Sequence, residues 1–337
     1  MNICLVTDAW QPQVNGVVRT LETVRGELEK AGDRVAVIAP HQFATIACPG
    51  YAEIRLAAFP FRKLARLIAE AAPDALHIAT EGPLGWAARG WAMRRNLAFT
   101  TSFHTRFPDY LRARAPIPTA WSWAVMRRFH APSRAVMVAT GSLRQELEGR
   151  GFANVAPWTR GVDTALFRPR PKDAGEDMRG LPRPVFAYVG RVAVEKNIAA
   201  FLDLDLPGSK VVIGGGPQLA ALSRRHPQVR FLGPRTGENL ARHFAAADVF
   251  VFPSLTDTFG LVMLEALACG VPVAAFPVPG PADIVTPETG VLSQDLRAAA
   301  LAALERSPAA CRALAESYSW RRCADIFRGH LVPWTVR

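Results

Sequence analysis

Short apolar runs alternate along this chain with segments in which apolar positions recur every three or four residues. In the first half the runs at residues 3–7, 34–39, 75–79, 98–102, 135–140 and 155–158 are strand-sized. Between the first two, residues 17–31 place Val18, Leu21, Val24 and Leu28 on one face of a helix. A second series starts at residues 185–189 and continues through 210–213, 229–232, 249–252 and 271–275. Strands separated by helical patterns make βαβ units and parallel sheets. Two such series imply an α/β protein of two Rossmann-like domains facing across a cleft. The stretch 167–175 is polar and interrupted by Pro169 and Pro171, as a linker is. The expected domains are therefore residues 1–166 and 167–315. Helical patterning over 295–328 implies a helical tail, 316–337, that returns to the first domain. No tandem repeat or low-complexity tract interrupts this order.

Composition narrows the class. With 337 residues, 50% of them hydrophobic, the chain has room for two cores. Apolar runs such as 249–252 and 271–276 fall far short of the roughly 20 residues that span a bilayer. Met1-Asn2 leads directly into Ile3 and then Asp8, without a basic leader segment, so a cytoplasmic location is expected. The five cysteines are odd in number and lack CxxC spacing, which points to reduced, buried thiols.

The net charge of +11 is uneven: the first 168 residues hold 21 Lys and Arg against 13 Asp and Glu, the rest 19 against 16. Between residues 82 and 145 ten arginines face one acid, Asp109, with Trp86, Trp91, Phe107, Tyr110, Trp121, Trp123 and Phe129 among them. Arginine interleaved with aromatic rings suits peripheral contact with an anionic membrane. A plain solvated face over an aromatic core has the same composition. Nucleic acid is the third candidate and is not the expected partner.

The candidate chemistry lies in loops after strands, where α/β sheets bind ligands. After the first strand, Asp8-Ala9-Trp10-Gln11-Pro12-Gln13-Val14-Asn15-Gly16-Val17 ends in a glycine that opens a helix, a place where backbone can approach an anion. In the second series, Gly190-Arg191 is followed by Lys196, and two cations on one loop suit a diphosphate whose charge grows as its bond breaks. Further on, Asp257-Thr258-Phe259-Gly260-Leu261 leads into a helix bearing Glu265. Carboxylates there can accept from hydroxyls, and helix-start N–H groups can donate to sugar oxygens or phosphate. Gly214-Gly215-Gly216-Pro217 lacks the GxGxxG of a nicotinamide site. No Asp-x-Asp pair occurs in these loops, so no divalent metal is expected.

Taken together, Gly190-Arg191 with Lys196, Arg160-Gly161-Val162-Asp163, Phe167-Arg168-Pro169 and the Asp257-x7-Glu265 block make the chain resemble the retaining family-four glycosyltransferases of GT-B fold. Asp257 departs from the commoner Glu at its position. That variant and the opening 7–17 are similar to the branch of sulfoquinovosyl- and glycosyl-diacylglycerol synthases and GDP-mannose-dependent mannosyltransferases. The resemblance implies that Glu265 holds the donor's ribose hydroxyls. It gives Asp257, with the backbone of Thr258, Phe259, Gly260 and Leu261, to the transferred sugar, and Arg191 and Lys196 to the diphosphate. The same resemblance implies that Gly16 approaches the donor and that His104, in Ser102-Phe103-His104-Thr105, contacts the sugar near the reacting centre.

With no evident carboxylate nucleophile, front-side displacement is expected. The implied activity is transfer of a hexose-type sugar from a UDP- or GDP-sugar to a lipid such as diacylglycerol at the inner membrane surface. The alternatives are a soluble or polyprenyl-linked glycan acceptor, or a nucleotide-sugar-binding protein without turnover.

Overall fold

The computed structural model describes residues 1–13, 15–48, 51–108 and 118–334, omitting the side chains of 51–53. Asp109, Tyr110, Arg112 and Arg114 of the basic stretch, and Val14 of the first loop, lie outside the described residues. The chain divides into two units, Met1–Arg160 with Trp320–Arg337, and Gly161–Ser319.

The first unit contains β1 (Asn2–Val6), β2 (Arg34–Ile38), β3 (Thr45–Cys48), β4 (Tyr51–Ala57), β5 (Ala75–Ile78), β6 (Thr100–Ser102), β7 (Val136–Val138) and β8 (Val155–Pro157). Its helices are α1 (Gly16–Lys30), α2 (Phe61–Ala71), α3 (Pro83–Arg94), α4 (Thr119–His130) and α5 (Gly141–Gly149). Six strands form a parallel sheet in the order β2-β1-β5-β6-β7-β8. Helix α1 starts where Asn15 Oδ1 accepts from the amides of Val17 and Val18, both at 3.0 Å. Its Val18, Leu21, Val24 and Leu28 are all buried, each worth about 1.5–3 kcal/mol of transfer from water. Strands β3 and β4 form an antiparallel pair that the hydrophobic pattern did not announce. Ile46 on β3 is 59% exposed, so that strand has no buried apolar face to read.

In the second unit β9 (Val185–Val189), β10 (Ser209–Ile213), β11 (Arg230–Gly233), β12 (Val249–Phe252), β13 (Val273–Ala275) and β14 (Gly290–Leu292) form a parallel sheet ordered β11-β10-β9-β12-β13-β14. Its helices are α6 (Ala199–Leu202), α7 (Leu219–Arg225), α8 (Gly237–Ala246), α9 (Leu261–Ala268), α10 (Pro281–Ile284), α11 (Leu296–Ala303) and α12 (Pro308–Glu316). The central β9 and β12 are buried at every position, as a parallel sheet covered on both faces requires. The pattern did not show β14, in which only Gly290 is fully buried.

The boundaries differ from 166/167 and 315/316. The chain divides after Arg160 because the segment beyond it is strapped to the second unit. Arg312 donates to the carbonyls of Phe167 (2.8 Å) and Thr164 (3.1 Å), and the buried Phe167 ring meets Phe244 edge-on at 6.0 Å. Arg170 forks onto Glu238 at 2.6 and 3.0 Å. The proline-rich stretch is thus ordered wrapping rather than open linker. The last helix, α13 (Trp320–His330), belongs to the first unit and packs on α1. Its Cys323, Ala324 and Phe327 enter the core beside Leu5 and Trp158. Trp158 Nε1 donates to the Cys323 carbonyl at 3.1 Å, and Arg328 pairs with buried Asp33 at 2.7 Å.

Candidate active site

In the second unit the candidate residues sit at the carboxyl ends of β9 and β12. Arg191 follows β9, is half-buried, and its carbonyl accepts from Tyr188 Oη at 2.7 Å. Gly214, at the end of β10, has φ +148, and a β-carbon there would stand 1.8 Å from the Gly190 carbonyl. Only glycine allows the two loops to touch in this way. Lys196 closes a short 3₁₀ turn, after which Asn197 (φ +50) donates through Nδ2 to the Pro253 carbonyl at 3.1 Å. Thr256 Oγ1 reaches the Glu195 carbonyl at 3.4 Å. These bonds join the Lys196 loop to the loop after β12.

The structure brings Lys196 and Asp257 together. Nζ donates to Oδ1 at 2.5 Å, with the side chains 23% and 18% exposed. The other oxygen, Asp257 Oδ2, is buried with no hydrogen-bond partner among the described residues, an uncommon and costly state for a carboxylate oxygen. Gly280 (φ +95) backs this loop, and a β-carbon there would lie 2.9 Å from the Asp257 carbonyl.

The chain then passes half-buried Thr258 and buried Phe259, whose ring meets Tyr318 edge-on at 6.3 Å. Gly260 (φ +89) turns it into α9 at Leu261, where no side chain caps the helix start and the Met263 amide donates to the Gly260 carbonyl at 2.9 Å. Glu265 lies one turn along and is 2% exposed. The Cys269 thiol, one turn further, is pushed up to about 12 by burial and then by the Glu265 charge. The arrangement offers cations, an acid with an unused oxygen, and helix-start amides on neighbouring loops of one sheet.

In the first unit, exposed Gly16 opens α1 beneath its Asn15 cap. His104 is 9% exposed, edge-on to Trp158 at 5.6 Å, and its Nδ1 lies 3.2 Å from Arg160 Nη2. Burial first, then the Arg160 charge, holds the imidazole well below its ordinary pKa.

The pattern of residues did not reveal two partners here. Buried Asp8 accepts from Thr80 Oγ1 (3.0 Å) and from the amides of Leu84 (3.0 Å) and Gly85 (3.3 Å), so it caps α3 from another strand. Burial pushes its carboxyl up to about 6 against those bonds. The available signal was an acid straight after a strand, with Gly82-Pro83 opening a helix elsewhere. Arg160 was visible only as part of a motif, with no chemical role attached.

A family profile described as Glycosyltransferase Family 4 matches residues 14–166, and one described as Glycosyl transferases group 1 matches residues 183–306. The chain belongs to glycosyltransferase family 4. A GDP-mannose-dependent alpha-mannosyltransferase of Mycobacterium tuberculosis is 29% identical to this glycosyltransferase, over 87% of this chain and 83% of the relative. The sulfoquinovosyl transferase SQD2 of Arabidopsis thaliana is 28% identical over 81% of this chain and 58% of its own length. Among solved structures, Anabaena HepE in complex with UDP and glucose superposes with a TM-score of 0.73, 15% identity and 98% coverage of both chains. The family-four glycosyltransferase therefore has the expected fold, two Rossmann-like α/β domains of GT-B type.

Proposed function

We propose that this glycosyltransferase is a retaining hexosyltransferase. It takes a hexose from a UDP- or GDP-sugar and passes it to a lipid such as diacylglycerol at the inner surface of an anionic membrane. The observation that carries the donor half is the Lys196–Asp257 pair with the unused Asp257 Oδ2 beside the start of α9. A sugar hydroxyl satisfies Oδ2, and a diphosphate draws Lys196 and Arg191 as its charge develops.

Glu265 is assigned to the ribose hydroxyls, and the backbone of Thr258, Phe259, Gly260 and Leu261 to sugar and phosphate oxygens. On the first unit, His104 is the side chain offered to the sugar and Gly16 the backbone offered to the donor. Retention proceeds by front-side displacement, the departing phosphate taking the acceptor's proton. The cations supply the neutralisation, so no divalent metal is required, and activity in EDTA should equal that in magnesium. The mannosyltransferase relative named for GDP-mannose and the UDP in HepE support the two donor bases.

The lipid acceptor draws support from exposed aromatic groups among basic ones. Phe59 is 94% exposed and Phe61 59%, next to exposed Arg62, Lys63 and Arg66, and Trp121 on α4 is 75% exposed near Arg127 and Arg128. No helix among the described residues is long and apolar enough to cross a membrane.

A soluble or polyprenyl-linked glycan is the second reading, because part of the basic stretch is engaged internally. Arg89 donates to the carbonyls of Phe129 and Arg128, and Arg106 forks onto Glu146 at 2.7 and 3.1 Å. The test is a panel of UDP- and GDP-hexoses with anionic vesicles containing diacylglycerol, read by mass spectrometry. A new glycolipid, lost in Asp257→Ala, is the expected result. Donor turnover that yields only soluble glycans moves the acceptor to the second reading, and no donor turnover overturns the proposal.

A further inference from the structure

We infer that Arg160 is a positioning residue that fixes His104 as a neutral imidazole with its proton on Nε2. His104 thus serves the transfer as a hydrogen-bond donor to a sugar oxygen and never as a base. The inference rests on the assignment of His104 to the sugar given above.

Arg160 is 4% exposed and held on three sides. Its Nη1 donates to the carbonyls of Trp158 (2.7 Å) and Thr159 (3.1 Å), and its guanidinium lies over the Trp158 ring at 4.4 Å. The remaining edge presents Nη2 to His104 Nδ1 at 3.2 Å. A guanidinium has only N–H groups and no lone pair to offer, so the ring nitrogen bonded to it must accept. An accepting Nδ1 places the proton on Nε2 and excludes the imidazolium, which would set two donors and two positive charges against each other.

The carbonyls that hold Nη1 belong to the backbone leaving β8, which packs through Trp158 on the Cys323 carbonyl. The guanidinium is therefore fixed by main chain and cannot swing away to release the ring. The charged and titratable groups bearing on His104 are Arg160, His77 and His130. His77 is committed to Thr100 Oγ1 (2.8 Å) and Ser102 Oγ (2.6 Å), and His130 to Thr101 Oγ1 (2.9 Å) and Glu81 Oε1 (3.1 Å). Burial and the Arg160 charge act in the same direction on His104, both opposing protonation.

The first test needs no variant. ¹⁵N spectra of the histidine-labelled full chain, with His104 assigned by its absence in His104→Gln, should show a protonated Nε2, a bare Nδ1, and no titration across the neutral range. A His104 ring that carries its proton on Nδ1, or titrates at the ordinary histidine position, overturns the inference.

Kinetics supply the second test. His104→Gln, whose amide places an N–H near the Nε2 position, should stay within about tenfold of wild-type kcat, while His104→Ala loses about a hundredfold or more. Arg160→Met removes the opposing charge and the donor to Nδ1 while burial still resists protonation, so kcat/KM should acquire an acid limb on the acid side of the ordinary histidine pKa, about 6.5. A merely structural arginine would lower the rate equally at every pH, and that outcome counts against the inference. Full turnover in His104→Ala overturns the underlying assignment of His104 instead, and the ¹⁵N spectrum tells the two failures apart.

Discussion

The two units hold their candidate charges differently. The second keeps Lys196 and Asp257 as a partly exposed ion pair on adjoining loops, where an incoming ligand can compete for either partner. The first buries Asp8, His77, His104, His130 and Arg160 and commits them to hydrogen bonds within the fold. Burial there displaces protonation, with the Asp8 carboxyl pushed up to about 6 and the His77 ring down to about 3. A partly exposed pair can be exchanged for ligand charge, whereas a buried network fixes direction and protonation. Both parallel sheets have six strands, so this contrast comes from the side chains the units carry, His77 within β5 and His130 at the end of α4 as well as the loop residues.

Removing the exchangeable pair should have the largest effect. Asp257→Ala is expected to lower kcat/KM by about a hundred- to a thousandfold with little change in melting temperature, since the residue is a loop acid. A loss of stability matching the loss of rate would instead make the pair structural. Adding a methyl behind the pair should come next. Gly280→Ala puts a β-carbon at φ +95 and 2.9 Å from the Asp257 carbonyl, at a cost on the order of 1–3 kcal/mol. Its donor KM should rise more than kcat falls, and unchanged donor affinity would show that the loop is not held from that side.

The smallest effect tests the buried side through pH. The folded pKa of Asp8 is raised, so its favourable contribution is complete below 3.8 and is lost as pH rises through about 6. Asp8→Asn cannot ionise, so its melting temperature minus that of wild type should increase from pH 4 to pH 7. Parallel curves would mean that Asp8 ionises in the fold as freely as in the unfolded chain.

Much of this architecture could be read in the chain itself, for a physical reason. Strands such as β9 and β12 are covered on both faces, so their residues form unbroken apolar runs. The loops after them carry charge against that background, which made Arg191, Lys196, Asp257 and Glu265 stand out. The β3–β4 pair gave no signal because β3 has no fully buried position. Asp8 and Arg160 were opaque for another reason. Their roles lie in partners far along the chain, Leu84 and Gly85 for one and His104 for the other, and no local spacing encodes such a meeting. Proline content marked a linker at 167–175, yet the same residues lie bound to α8 and α12 through Arg170 and Arg312.

Helix α13 completes the first unit from the far end of the sequence. The second unit is one continuous stretch, but the first consists of two pieces separated by the whole of the second. During synthesis the second unit therefore finishes while the first still lacks Phe327 and the carbonyl that receives Trp158 Nε1. Order of emergence from the ribosome and order of completion are thus reversed. A fragment ending at Ser319 would carry every candidate catalytic side chain and still leave the first sheet without part of its cover.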